Sequence, residues 1–142
     1  GMSFSENNWD RKIKLPGYKM YMNSMQADIG LRNFIKYESK LSRLQEIKHM
    51  YNDKLNLKNT SNHLYRIRVP ERDKTIKELK KNGIQTGIHY ASLHNHQTYK
   101  INNLNCPKSE AESSVTLSIP FHEKLKMKDL NCIINALNEH QK

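Results

Sequence analysis

One short polar stretch carries most of the side chains that could do chemistry in this sequence. His89, Tyr90, His94 and His96 lie within eight residues of one another. Imidazole is a common zinc ligand and a general acid or base near neutral pH. Because the histidine spacing fits no usual zinc pattern and no cysteine lies close by, we expect no metal site. Two interpretations stay open for this stretch: a loop that contacts a ligand, and a solvated polar loop.

The other nucleophiles and carboxylates show no catalytic pattern. Cys106 and Cys132 are the only cysteines, and neither stands in a motif typical of a reactive thiol. Glu110 and Glu112 are two residues apart on an expected helix, so their side chains point in different directions and do not share a proton. We therefore predict no catalytic residue in this chain. We expect both thiols to be reduced, as in a cytoplasmic protein.

The charge balance limits the classes of partner. The formal net charge is +10, from 24 basic and 14 acidic residues. Such an excess attracts anions, including nucleic acids, acidic membranes and anionic ligands. The lysines are spread along the whole chain, with no long basic run and no aromatic, zinc-finger or basic-heptad signature of a nucleic-acid binder. We expect a solvated basic surface, with anion binding as the alternative, and we do not expect nucleic-acid binding.

No segment of the sequence is typical of a membrane span or an export signal. No stretch approaches the roughly 20 apolar residues of a membrane span, and no apolar region follows Met2 as it does in a signal peptide. Gly1 before Met2 is typical of a residue added in cloning, so we expect the native chain to begin at Met2. These features predict a cytoplasmic protein without a membrane partner.

A long helix is expected to precede the histidine-rich stretch. Asn23 can cap its N-terminus, with Gln26 three residues on to complete a capping box. Apolar residues then recur at helical spacing, which predicts one apolar face over residues 23–51. The main positions of that face are Met25, Ile29, Phe34, Leu41, Leu44 and Ile47.

The remaining elements follow from alternation in strands, helical spacing in helices, and Gly or Pro at the ends. They are a strand at 63–69, a helix at 71–82 closed by Gly83, a strand at 84–90, a loop at 91–106, a helix from Pro107, a strand at 115–119 and a helix at 127–140. The expected core positions are His63, Tyr65, Ile67, Val69, Ile76, Leu79, Leu130, Ile133, Ile134 and Leu137. This order predicts an α+β fold: a small three-stranded sheet with helices packed on one face.

Four stretches together carry a family signature, in one order and over residues 15–140. The first is Gly17-Tyr18-Lys19-Met20-Tyr21-Met22-Asn23-Ser24-Met25-Gln26-Ala27-Asp28-Ile29-Gly30. The second is His63-Leu64-Tyr65 with Ile67-Arg68-Val69. The third is Gly83-Ile84-Gln85-Thr86-Gly87-Ile88-His89-Tyr90 followed by His94, and the fourth is Pro107 and Glu110 with Leu117-Ser118-Ile119-Pro120. One stretch alone is a weak signal, but the four in register resemble the signatures of DegT/DnrJ/StrS-type sugar aminotransferases, which depend on pyridoxal phosphate (PLP).

The resemblance implies a fold and a missing partner domain. It implies that residues 17–142 form a small domain like the C-terminal domain of fold-type I PLP-dependent transferases, after an N-terminal arm at residues 1–16. In this family the lysine that binds PLP belongs to a larger N-terminal domain. Nothing in this sequence resembles the Ser-Phe run that leads to that lysine. We therefore expect that this chain alone binds no PLP and does not transaminate.

The resemblance also assigns roles to particular residues. Lys19 and Tyr21 stand at positions that contact the PLP phosphate of a neighbouring subunit, where relatives often carry Asn and Arg. Tyrosine cannot make the two parallel hydrogen bonds that arginine makes to phosphate, so this substitution weakens the expected cofactor contact. The resemblance places His89, Tyr90 and His94 near the mouth of the active site, as residues that bind the nucleotide sugar.

Two functions follow as hypotheses. The first is a truncated or split nucleotide-sugar aminotransferase of amino-sugar and surface-polysaccharide biosynthesis, inactive alone and completed by a homodimer partner or a separate large-domain chain. The second is a non-enzymatic module that binds an anion or a nucleotide sugar on its basic surface. The first rests on family analogy, which indicates a process and not a reaction of this chain, and the second rests on the net charge of +10.

Overall fold

The computed structural model describes residues 2–3, 12–13, 21–99 and 104–140. Two compact units divide the chain, Gly1–Tyr37 and Glu38–Lys142. In the first unit, strand β1 (Met2–Ser3) pairs antiparallel with strand β2 (Lys12–Ile13). The sequence predicts only an N-terminal arm here and no strands, because two strands of two residues each leave no pattern in the sequence. The boundary between residues 16 and 17 stays a prediction.

Helix α1 (Ser24–Ile35) begins at the predicted cap. The Asn23 Oδ1 atom accepts a hydrogen bond of 2.9 Å from the Gln26 backbone N–H, and the Gln26 side chain accepts one of 3.0 Å from the Asn23 backbone N–H. This reciprocal pair satisfies two N–H groups that no carbonyl of the helix can reach. No residue of α1 is buried, so its apolar side chains contribute nothing to a core within the described residues.

The predicted single helix over residues 23–51 is two helices. Helix α1 ends at Ile35, and helix α2 runs from Tyr37 to Lys54. Between them the Lys36 backbone turns to φ −95° and ψ 3°, and its N–H donates to the Phe34 carbonyl. Neither Gly nor Pro stands at this position, so no helix-breaking residue type indicates the break in the sequence.

The second unit contains an antiparallel pair of strands, β3 (Tyr65–Arg68) and β4 (Thr116–Ile119). Tyr65 lies opposite Ile119, and Arg68 lies opposite Thr116. The third strand predicted at residues 84–90 is reduced to one bridge between Gly87 and Ser118. The Ile84 N–H is used to close the preceding helix, and within this segment only Gly87 pairs with strand β4.

The other α-helices lie close to their predicted positions. They are α3 (Arg72–Lys81), α4 (Pro107–Val115) and α5 (Met127–His140). Two 3-10 turns, Leu93–Asn95 and Gln97–Tyr99, lie within the predicted loop. Helix α3 ends in a Schellman motif: the Gly83 N–H donates to the Lys80 carbonyl, and the Ile84 N–H donates to the Leu79 carbonyl. Gly83 has φ 74°, a conformation that other residues rarely adopt. The α+β fold class predicted from the sequence is confirmed.

The core of the second unit lies among the two strands and helices α2, α3 and α5. Its buried members are Ile47, Tyr51, Leu55, Tyr65, Ile67, Val69, Leu79, Ile84, Leu117, Ile119, Leu125, Leu130, Ile133, Ile134, Ala136 and Leu137. All four residues predicted to face inward from α5 are among them, and Ile76 is partly buried. His63, which the alternation places on the core face, is exposed, because it precedes the strand and lies in a bend.

Two tyrosine hydroxyl groups enter this core with their own acceptors. The Tyr51 hydroxyl donates to the Pro120 carbonyl at 2.9 Å, and the Tyr65 hydroxyl donates to Asn52 Oδ1 at 2.7 Å. The two rings lie 4.8 Å apart, centre to centre. Burial raises the pKa of Tyr65 to about 12 and also raises the pKa of Tyr51. Both hydroxyl groups therefore stay protonated donors at neutral pH.

Candidate functional site

The residues predicted to bind a ligand do not all lie in one unit. Tyr21 is exposed in the first unit, whereas His89, Tyr90 and His94 lie in the second. Lys19 lies outside the described residues. Within the described part of the chain, no helix is long and apolar enough to span a membrane.

His89 lies directly against strand β4. Its Nδ1 atom is 2.9 Å from the hydroxyl oxygen of Ser118. The backbone of Ser118 makes two further hydrogen bonds with Gly87, of 3.0 and 2.8 Å. A Cβ atom at Gly87 would lie 2.7 Å from Cε1 of His89, closer than such atoms approach in folded proteins. Glycine at position 87 therefore lets the imidazole fold back onto Ser118.

Replacing Gly87 with alanine is expected to move the His89 ring away from Ser118, because the new methyl group occupies the ring's place. We expect a loss of stability of about 1 kcal/mol from this overpacking. Changed imidazole NMR signals of His89 and a urea unfolding curve would measure both effects. Gly30→Ala is the control: nothing lies within 4 Å of that position, so the His89 signals should not change. Unchanged His89 signals in Gly87→Ala would contradict the arrangement.

Tyr90 follows with its side chain in solvent. Its exposed fraction is 73%, and its ring contacts the His89 ring edge-on, with the centres 5.0 Å apart. The neighbouring Leu93 is also exposed. Two large side chains that project from a polar loop are available to a ligand or to another protein surface.

His94 is engaged by another side chain. Its Nε2 atom lies 2.7 Å from Glu110 Oε1 on helix α4, and the His94 side chain is only 11% exposed. The hydrogen bond from His94 is the main cause that lowers the pKa of Glu110. The predicted ligand-binding histidine thus has one ring nitrogen occupied by the protein itself.

Serine residues extend this attachment to helix α4. The buried Ser92 lies 3.1 Å from Ser109, oxygen to oxygen, and its backbone N–H donates to the hydroxyl group of Ser113 at 3.2 Å. Sequence reasoning missed this contact, because serine is common in loops and helix ends and carries no motif of its own. Pro107 and Glu110 belong to the family signature, but nothing in their spacing indicates His94 as the partner.

The histidine-rich stretch does not gather metal ligands. His96, two residues beyond His94, is exposed. Among the residues that the structure describes, no group of three or more His, Cys, Asp or Glu could hold a metal ion. Cys106 and Cys132 are free thiols.

An open groove of about 640 Å³ lies beside His89. Polar side chains along it include Gln85, Thr86, His89, Ser118, His122 and Asp129. None of the residues that line it is Lys or Arg. PLP requires a lysine amine for its aldehyde and positively charged or N–H donors for its phosphate. This groove by itself therefore offers no lysine amine for the aldehyde of PLP, and its polar side chains could accept and donate hydrogen bonds to a sugar.

Comparison with known proteins gives one consistent result. The model of the DegT/DnrJ/EryC1/StrS aminotransferase family matches residues 1–138. The Methanocaldococcus jannaschii protein MJ1066 is 30% identical over 95% of this chain and 41% of its own length. The structure of Spr1654 of Streptococcus pneumoniae, solved in a PLP form, has a TM-score of 0.81 and is 28% identical in sequence. The match covers 98% of this chain and 40% of the Spr1654 chain.

The similarity in fold extends to more distant structures. The sugar aminotransferase CalS13 from Micromonospora echinospora has a TM-score of 0.83 at 18% identity, which covers 98% of this chain and 42% of CalS13. This identity supports the fold alone. The chain spans about two fifths of the length of the relatives that it matches.

Proposed function

Because this chain belongs to the DegT/DnrJ/EryC1/StrS aminotransferase family, we propose that it is the small-domain portion of a PLP-dependent nucleotide-sugar aminotransferase. We propose that these residues do not transaminate alone and act with a large domain that supplies the PLP-binding lysine. The process would be amino-sugar and surface-polysaccharide biosynthesis in the cytoplasm. The two free thiols agree with a reducing compartment.

The observation that carries this proposal is the exposed apolar surface of helix α1. Phe34 is 76% exposed, and Met25, Ile29, Leu31 and Ile35 are each more than half exposed. Ile29 and Phe34 are separated by five positions, which places them about 140° apart around an α-helix. Apolar surface on more than one side of a helix is typical of a helix that is buried in its working state.

We propose that the large domain covers this helix. The structures that this chain resembles are more than twice its length, so the rest of their fold offers a surface of sufficient size. Burial of one large apolar side chain contributes about 1.5–3 kcal/mol, and several such side chains are exposed on α1. In the complete enzyme, a homodimer would bring Lys19 and Tyr21 near the PLP phosphate of the partner subunit.

We propose that the nucleotide sugar is contacted from the second unit by His89 and Tyr90. The exposed Tyr90 hydroxyl group can donate to or accept from a sugar hydroxyl or a phosphate oxygen. The Nε2 atom of His89 is the ring nitrogen that Ser118 does not engage, so it is available to a ligand in the neighbouring groove. His94 belongs to the same region, and its Nε2 atom is bound to Glu110.

The proposed function can be tested by PLP titration with borohydride trapping. We expect the chain alone to form no stoichiometric lysine adduct. A chimera that joins the large domain of Spr1654 to this chain is expected to trap one PLP per chain and to convert PLP to its amino form with glutamate. The Spr1654 large domain without any small domain is the control, and it should convert PLP much more slowly. Stoichiometric trapping by the chain alone, or an inactive chimera that binds PLP, would contradict the proposal.

A binding module without catalysis is the second candidate function. The net charge of +10 favours an anionic ligand such as a nucleotide sugar. Binding to the chain alone that weakens steeply as salt rises would support this candidate, because surface charges are screened by salt.

A further inference from the structure

The segment from Gly87 to His94 is attached to the second unit at two separate places. At its beginning, Gly87 and His89 bind Ser118 of strand β4 through backbone and side-chain hydrogen bonds. At its end, Ser92 and His94 bind helix α4. Tyr90 lies between these attachments.

The end of this segment is shielded from solvent, whereas the side chain in its middle is exposed. Ser92 is buried and the His94 side chain is 11% exposed, whereas Tyr90 is 73% exposed. Among the described residues, the Tyr90 side chain makes a ring contact with His89 and no hydrogen bond. The backbone beside Tyr90 is therefore fixed on both sides while the phenol group stays free. A side chain held in this way loses little further conformational freedom when a ligand binds.

We propose that His94 is a positioning residue, which holds Tyr90 in place for the nucleotide sugar through its hydrogen bond to Glu110. This inference rests on the proposed function, and it changes the role that the family resemblance implies for His94. His94 itself is enclosed, and its Nε2 atom is already bound to Glu110 at 2.7 Å. Tyr90 makes the contact with the ligand, and His94 acts through the backbone that joins them.

The position of Glu110 on helix α4 favours a charged carboxylate that can bind His94. It lies in the first half of helix α4 (Pro107–Val115), near the end where N–H groups favour a negative charge. The His94 hydrogen bond joins residues 16 positions apart in the sequence. Loss of either partner would loosen the end of the segment, because only the bonds of Ser92 to Ser109 and Ser113 would still hold it on helix α4, while the attachment at Ser118 would remain.

The first test is amide hydrogen exchange of residues 88–95 in the full chain. His94→Ala and Glu110→Ala are each expected to speed exchange in this segment about tenfold, because local opening governs exchange. The double variant should exchange no faster than either single one, since both remove the same hydrogen bond. Glu110→Gln retains an acceptor oxygen and should restore most of the protection.

His96→Ala is the matched control. His96 is an exposed histidine of the same stretch, two residues beyond His94, and its substitution should leave exchange at residues 88–95 unchanged. Unchanged exchange in both His94→Ala and Glu110→Ala would overturn the positioning role. Equal acceleration by His96→Ala would overturn it as well, because any change to the loop would then have the same effect.

The second test separates the positioning role from the proposed function. In the active Spr1654 chimera, Tyr90→Phe and His94→Ala should each raise KM for a UDP-sugar or dTDP-sugar probe about tenfold. The glutamate half-reaction should keep its rate. In the Tyr90→Phe background, His94→Ala should have little further effect on KM.

The outcomes of the two tests are distinguishable. Independent, additive effects of Tyr90→Phe and His94→Ala on KM would overturn the positioning role while the proposed function stands. A chimera that uses no nucleotide sugar would overturn the proposed function. The role of His94 in ligand binding would fall with it, even if the exchange result still showed the attachment to helix α4.

Discussion

Replacing Tyr65 with alanine is expected to lower the free energy of unfolding of the second unit by about 3–5 kcal/mol. Tyr65 is fully buried, and its ring lies 4.8 Å from the Tyr51 ring and 5.9 Å from the Phe121 ring. Truncation would leave a cavity among these rings. It would also remove the hydroxyl group that donates a hydrogen bond to Asn52 Oδ1. Because domains are stable by only about 5–15 kcal/mol, this loss should bring the unit close to unfolding.

Tyr65→Phe separates the ring from its hydroxyl group. It keeps the aromatic packing and removes one hydrogen bond, so it should cost about 1 kcal/mol. Asn52 Oδ1 would still accept from the Asn59 backbone N–H at 3.0 Å, which limits the penalty. Urea unfolding curves followed by circular dichroism would measure all three proteins. Equal stability of Tyr65→Ala and Tyr65→Phe would contradict the core described above.

Placing aspartate in the apolar surface of helix α1 is expected to weaken association with the large domain strongly without destabilising the chain itself. Ile29→Asp and Phe34→Asp should each weaken binding to the Spr1654 large domain, supplied as a separate chain, by about 100-fold or more. Each removes about 1.5–3 kcal/mol of apolar burial and buries a charge without a partner. Both side chains are more than half exposed in the chain alone, so its unfolding curve should change little.

Asn33→Asp is the matched control for this pair. It adds the same charge to the same helix at a polar, exposed position, and we expect a much smaller loss of affinity. Titration calorimetry or analytical ultracentrifugation would give the dissociation constants. If Ile29→Asp and Phe34→Asp bind as tightly as the unchanged chain, the helix is not the contact with the large domain. If they unfold the chain instead, the exposed surface described here is wrong.

The features that sequence analysis predicted correctly are local or periodic. The capping box of Asn23 and Gln26 joins residues three apart, and Gly83 closes helix α3 through its own backbone. The inward positions of helix α5 follow from helical spacing. Such features depend on few residues and little on the rest of the fold, so a single sequence is enough to indicate them.

The features that it missed depend on the rest of the fold. The break at Lys36 has no helix-breaking residue, and the strand expected at residues 84–90 lacks a ladder because only Gly87 reaches β4. The bond between His94 and Glu110 joins a loop to a helix. The sequence does not reveal this bond, so the sequence analysis assigned His94 the same ligand-binding role as His89 and Tyr90. The family resemblance indicated this region as a whole, and only the structure shows that the contacts of His94 differ from those of His89 and Tyr90; the roles of these residues in ligand binding stay predictions.

The exposed side chains of residues 21–37 bear on how long this protein persists inside a cell. Eight large hydrophobic residues are exposed there: Tyr21, Met22, Met25, Ile29, Leu31, Phe34, Ile35 and Tyr37. Chaperones and proteases recognise such surfaces, and they act on any population that stays unassembled. Under the proposed function, the amount of this protein that survives would follow the supply of the large domain, and synthesis in excess of that supply would end in degradation or aggregation.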